Sequence, residues 1–183
     1  MNIKQVLQKI RVPAGFLFAL IFFIISRPTT VYMLAGLPFV IAGVWIRFWA
    51  AGHIRKSREI TTSGPYARTR NPLYVGSFFL GIGFCIQSAI LFLLPLFVIV
   101  FFLIYYPVMR QEEWELERVF GEEYAGYRAH IPLFMPLPGR KMKTRRRFSL
   151  SQALGNREYN APLGALVAEI ILVVKLFYPL VWP

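Results

Sequence analysis

At 183 residues, 56% hydrophobic and 16% aromatic with a formal net charge of +12, the chain is too apolar and too lopsided in charge for a soluble domain of its size. Its apolar residues run in long blocks while charges crowd the connections, the pattern of a helix bundle whose outside is solvated by lipid. A single cysteine, Cys85, excludes an intrachain disulfide, Asp is absent, and His53 and His130 lack metal-ligand spacing, so neither thiol redox chemistry nor a metal site is expected.

Lys4, Lys9 and Arg11 precede an apolar run with no small-residue cleavage site after Ser26, which predicts an uncleaved first span over residues 12–26. A turn at Arg27-Pro28-Thr29-Thr30 follows, with Thr30 as the expected N-cap. Residues 31–51 form the clearest span, and Trp45, Arg47 and Trp49 mark its interfacial end. Residues 52–72 are polar and strongly basic and read as a loop. Irregular backbone of this kind is costly beside lipid unless it lines a cavity or faces water, so the stretch from Ser63 through Gly76 is the expected working site. Residues 73–108 are apolar almost throughout, interrupted at Gln87-Ser88. Two antiparallel limbs of roughly 18 residues, each about 27 Å long, fit this run better than one helix. Gly76, Gly81 and Gly83 on the first limb would let helices approach closely. No third glycine accompanies Gly81-Ile82-Gly83, so it is not read as a dinucleotide loop.

In residues 109–138 an apolar-aromatic stripe of Leu116, Phe120, Tyr124, Tyr127 and Ile131 runs beside Glu112, Glu113, Glu117 and Arg118. Gly121 is expected to divide it into two short amphipathic helices, and Pro132 to end the second. Residues 139–160 form a basic linker with Arg140, Lys141, Lys143, Arg145, Arg146 and Arg147, read as an anchor beside anionic membrane lipid and not as a nucleic-acid site. Residues 161–182 are a last span carrying Glu169 and Lys175, each of which would cost about 2.5–3.5 kcal/mol at the bilayer centre. The expected fold is therefore all-α: a single membrane domain over residues 1–183, a polytopic transmembrane bundle of about five spans with a short cytoplasmic amphipathic segment. If each span crosses and returns, every Lys and Arg except Arg27 and Lys175 falls on one side. The positive-inside rule makes that side cytoplasmic, together with the N-terminus; in a bacterium the membrane would be the inner one.

Because the hairpin returns the chain to its starting level, Tyr66, Arg70, Asn71 and Tyr74 of the loop can meet Glu112 and Glu113. Carboxylates suit an amino group or ribose hydroxyls, amide and phenol groups suit a carboxylate, and tyrosine faces suit a cation. These are handles for S-adenosylmethionine. The segments Thr62-Ser63-Gly64-Pro65-Tyr66, Arg70-Asn71-Pro72-Leu73-Tyr74-Val75-Gly76, Glu112-Glu113 and Phe120-Gly121-Glu122-Glu123-Tyr124, with Tyr127-Arg128 and Pro132, resemble the isoprenylcysteine carboxyl methyltransferase and phospholipid methyltransferase family of integral membrane enzymes. The likeness covers roughly residues 60–136. It implies a non-Rossmann membrane bundle that binds S-adenosylmethionine. Tyr66, Asn71, Pro72, Leu73 and Tyr74 would touch the cofactor from the loop, and Glu112 and Glu113 from the second block. The family usually has histidine where this chain has Asn71. Arg110 is the approximate counterpart of a substrate-binding arginine.

Methyl transfer from a sulfonium is an in-line displacement, so the protein has chiefly to align and desolvate the reactants. A carboxylate acceptor is already ionised at neutral pH and needs no general base, which suits a chain without a His-carboxylate dyad. Arg70 or Arg110 would orient it, and Arg110, Tyr124, Tyr127 and Arg128 are the expected contacts of a lipophilic or prenylated substrate. Two other readings explain part of the sequence. A sterol or lipid reductase using NADPH would place its cofactor phosphate on the cations between Arg55 and Arg70. A non-enzymatic scaffold would use its basic collar to bind anionic lipid.

Overall fold

A computed structural model describes residues 15–17, 19–55, 59–136 and 147–178. Lys4, Lys9, Arg11, Lys56, Arg58, the cluster 140–146, the first positions of the expected first span (12–14) and the end of the last (179–182) lie outside the described residues. Among the described residues seven α-helices follow one another: α1 (Gly15–Ile25), α2 (Thr30–Ala51), α3 (Pro72–Gln87), α4 (Leu93–Phe120), α5 (Glu122–His130), α6 (Leu150–Gly155) and α7 (Asn160–Phe177). No strand occurs among the described residues. By length and composition α2, α4 and α7 can each cross a membrane, while α1 and α3 are shorter apolar helices, which makes the expected all-α bundle of about five spans.

Glycine sets the tightest contact in the bundle. A Cβ on Gly43 of α2 would lie 2.7 Å from the backbone oxygen of Gly76, and one on Gly83 would lie 2.8 Å from the backbone nitrogen of Val40. No other residue fits at these positions, and α2 and α3 pack nearly backbone to backbone. Gly81 faces α4 instead, against the ring of Phe97. There α3 and α4 are joined by aromatic rings: Phe78 packs on Phe97, Phe101 and Phe102 with centroids 5.9, 5.1 and 5.7 Å away, and Phe134 closes the group. Ser88 ends α3, its hydroxyl donating to the Cys85 carbonyl at 2.6 Å and accepting from the Ile90 N–H at 3.1 Å. The chain then reverses through Ala89, whose φ is +57°.

The return helix does not stop where the apolar run stops. α4 has 28 residues, about 42 Å at 1.5 Å per residue, whereas hydrocarbon is only about 30 Å thick. Its last turns, with Arg110, Glu112, Glu113, Glu117 and Arg118, therefore project beyond the apolar layer. Gly121, with φ +52°, separates α4 from α5.

Both charges in α7 have partners inside the bundle. Glu169 accepts from Gln87 Nε2 at 2.8 Å, and Lys175 Nζ donates to the carbonyls of Phe23 and Ile24 at 2.6 and 3.1 Å. Intramembrane charges normally face the bundle and find such groups, which offsets the insertion cost read from the sequence.

Candidate active site

Three pieces of chain meet at the end of the bundle where α4 projects: the loop around residues 63–74, the end of α4 with α5, and the extended segment after α5. The loop enters through a 3-10 turn, Gly64–Ala67, that buries Pro65, Tyr66 and Ala67. It leaves through Asn71 into α3, where Pro72 occupies a first-turn position that needs no N–H donor. Between these points three successive residues pair with the segment after α5. Thr69 Oγ1 donates to the Phe134 carbonyl, the Arg70 N–H donates to the Pro132 carbonyl at 3.0 Å, and Asn71 Nδ2 donates to the Leu133 carbonyl at 3.0 Å. Pro132 and Pro136 bracket these carbonyls and block helix continuation, which leaves their oxygens available to the loop.

From the other side α4 supplies two adjacent carboxylates in different surroundings. Glu113 is 3% exposed. It pairs with the buried Arg70 guanidinium, accepts from Arg110 Nη1 at 2.6 Å, and accepts from the Tyr124 hydroxyl at 3.3 Å. Glu112 is exposed and accepts from the Tyr74 hydroxyl at 2.8 Å. The Tyr74 ring in turn lies on Tyr105, with centroids 5.4 Å apart.

Three tyrosines stay protonated for the same reason. Burial pushes the Tyr124 phenol up to about 12, reinforced by the Glu113 charge. Burial also raises Tyr127, which donates to the Tyr66 carbonyl at 2.7 Å and locks the 3-10 turn onto α5. Tyr66 is raised first by burial and then by Tyr127, Glu158 and Glu112, with Arg47 opposing. Its neutral hydroxyl is buried and has no hydrogen-bond partner among the described residues, and the same holds for Ser63 Oγ and Arg70 Nε. A buried polar atom left without a partner costs about 1–3 kcal/mol, so three of them in one loop make it the candidate site for a ligand.

The expected site residues thus divide. Tyr66, Arg70, Asn71, Pro72, Leu73 and Tyr74 come together with Glu112, Glu113, Arg110, Tyr124 and Tyr127. Arg128 stands apart, paired with Glu117 at 2.7 Å on an exposed surface. Ser63 and Thr69 fall within the expected working loop, where the sequence assigned them no individual role, and the sequence reading missed the carbonyls of 132–134. It also missed Arg47, whose Nε binds Glu158 at 2.6 Å and whose Nη1 donates to Ser77 Oγ at 2.5 Å. Beside Arg47 a groove of about 420 Å³ runs between α3 and α7, walled by Leu80, Phe84, Ala161, Gly164 and Ala165. Among the described residues no group of three metal-ligating side chains occurs.

Residues 31–123 match the phospholipid methyltransferase family. The chain is 34% identical over 107 residues to the nickel-cobalt-cadmium resistance protein NccN of Alcaligenes xylosoxydans, covering 58% of this chain and 49% of that one. It is 37% identical over 94 residues to the cobalt-zinc-cadmium resistance protein CzcN of Cupriavidus metallidurans, covering 49% and 42%. It is 33% identical over 118 residues to the protein-S-isoprenylcysteine O-methyltransferase of Rattus norvegicus, covering 56% and 40%. The chain spans less than half the length of each of these curated relatives. No solved structure matches it.

Proposed function

The chain belongs to the phospholipid methyltransferase family, and from that membership we propose that it is an integral membrane enzyme transferring a methyl group from S-adenosylmethionine to a lipophilic acceptor. The observation that carries the reading is the junction of the 63–74 loop with Glu112, around three buried polar atoms without a partner among the described residues. That donor set fits the cofactor. Ser63 and Tyr66 offer hydroxyls, Glu112 a carboxylate for an amino group or ribose, and Tyr74 a ring face for a sulfonium. Asn71, Pro72 and Leu73 form the backbone turn beneath them. When bound, S-adenosylmethionine supplies an electrophilic methyl group.

In this reading Glu113 is a clamp. It fixes Arg70, and with it the loop, against α4, and it holds one arm of Arg110. Arg110, half exposed, orients the acceptor. Arg70 is buried and committed to Glu113, so it acts through that carboxylate. Tyr124 and Tyr127 complete the wall. We favour a carboxylate acceptor of the isoprenylcysteine type, because Arg110 provides a charged donor for it and no histidine-carboxylate ion pair that could deprotonate an amine occurs among the described residues. The apolar part of such an acceptor can lie in the groove between α3 and α7. The described parts of loop 52–72 and of segment 109–138 are the two halves of the site, facing the cytoplasm under the positive-inside rule.

Equilibrium titration of the purified chain separates this reading from a reductase. Saturable binding of S-adenosylmethionine and none of NADPH is the expected result, and the reverse pattern would sink the proposal.

A further inference from the structure

The segment 147–159 lies outside the stretch matched to the family, yet it is bonded closely to the start of the cofactor loop. Its Ser149 N–H donates to the Gly52 carbonyl at 3.0 Å. Asn156 Nδ2 donates to the carbonyls of Ala51 and Ile54 at 2.9 and 3.2 Å. Together they cap the carbonyls that α2 leaves open at its C-terminus. Phe148 packs on Phe48 and His53, with centroids 5.6 and 6.1 Å away, and fills the space over Gly52.

Glu158 extends the connection further. It is 7% exposed. Its Oε1 lies 2.6 Å from Arg47 Nε, and Arg47 lies across α3 where Gly76 leaves room for its side chain. From there Arg47 Nη1 reaches Ser77 Oγ at 2.5 Å and the Leu73 carbonyl at 3.4 Å. Ser77 Oγ itself donates to the Leu73 carbonyl at 3.1 Å. The guanidinium is therefore held by a carboxylate on one side and grips the first turn of α3 on the other, the turn that carries Leu73 and Tyr74.

We propose that Glu158 is a positioning residue for the cofactor site: through Arg47 it fixes the first turn of α3, and so the placement of Leu73 and Tyr74. The inference rests on the cofactor reading given above. Charge-assisted hydrogen bonds of this geometry are the strong ones, and their loss from a buried pair leaves the cation to find new partners. Both Glu158 and Arg47 also act electrostatically on the buried Tyr66 phenol, which ties the same pair to the loop.

The test compares the unsubstituted chain with Glu158→Gln, Glu158→Asp and Ser77→Ala, all in the same lipid nanodiscs. Binding of S-adenosylmethionine, KM for cofactor and for acceptor, and the thermal midpoint are read for each. Glu158→Gln is expected to raise the cofactor Kd and KM about tenfold, leave the acceptor KM within about twofold, and shift the midpoint little. Glu158→Asp recovers part of the loss. Ser77→Ala, which leaves the Arg47–Glu158 pair intact, gives a smaller rise in the same parameter and stands as the test should Glu158→Gln not fold. Unchanged cofactor affinity in both Glu158→Gln and Ser77→Ala overturns the inference, as does a parallel loss of both KM values with a collapsed midpoint. Wild-type protein that binds no S-adenosylmethionine at all overturns the cofactor reading and this inference with it; normal wild-type binding with unaffected variants removes the inference alone.

Discussion

Glu112 and Glu113 are consecutive on α4, and one helical step carries the first into solvent beside the Tyr74 hydroxyl and the second into a buried cluster with Arg70, Arg110 and Tyr124. Their substitutions should fail in different ways. Glu112→Gln keeps the hydrogen bond to Tyr74 but loses the charge, and is expected to weaken S-adenosylmethionine binding about tenfold at unchanged folded yield. Unaltered affinity in that titration would remove Glu112 from the site. Glu113→Gln leaves the buried Arg70 cation without its counter-ion, a change that costs about 3–5 kcal/mol for such pairs. It should lower the thermal midpoint before any kinetic effect can be read, whereas a normal midpoint would contradict the clamp. At this scale the sequence showed which residue types would meet but not which would be consumed by one another. Arg70 and Arg110 look equivalent in the sequence, and only burial distinguishes them. The carbonyls of 132–134 were invisible because backbone acceptors carry no residue-type signal; the two flanking prolines were the available hint.

The elements were legible where local chemistry marks their ends. Residues 31–51 stand out by hydropathy, Gln87-Ser88 by its polarity inside an apolar run, and Gly121 by its backbone freedom. Gly76 and Gly83 read correctly as points of close helix approach, because small residues in membrane helices serve that end. The continuity of α4 beyond Val108 was not legible. The change from apolar to charged composition looks like a boundary, yet residues 109–120 contain no Gly or Pro and are rich in good helix formers, so the helix simply leaves the membrane. The groove between α3 and α7 was equally hidden, since it depends on how α7 stands against the pair α2–α3. Gly164 faces open space there, in contrast to the packed glycines of α2 and α3. Gly164→Leu should therefore be tolerated in folding and should raise the KM for a long-chain acceptor several-fold, with little change in cofactor Kd. An equal effect on a short-chain acceptor would show that the groove does not hold the chain.

On the scale of the whole molecule, three separate stretches build one end of the bundle, and the family match covers only part of them. Residues 31–123 supply α2, α3, the loop and α4, while the segment after α5 and the segment 147–159 brace that assembly from outside the match. The charge distribution gives this end a predicted side. Because Cys85 is buried, Arg128→Cys introduces a thiol on an exposed surface of the site end. In sealed vesicles of known orientation it should react with an impermeant maleimide from the cytoplasmic face alone, and labelling from the opposite face would invert the topology. Methyl transfer at that end is tested most directly by incubating the purified chain in nanodiscs with methyl-labelled S-adenosylmethionine and a panel of lipid-soluble carboxylates, amines and thiols. Methyl transfer at this site should put label into a lipophilic carboxylate product, and combining Glu112→Gln with Tyr74→Ala should abolish it. Cofactor binding without label transfer to any member of the panel, or label transfer that survives the double substitution, would contradict methyl transfer at this site.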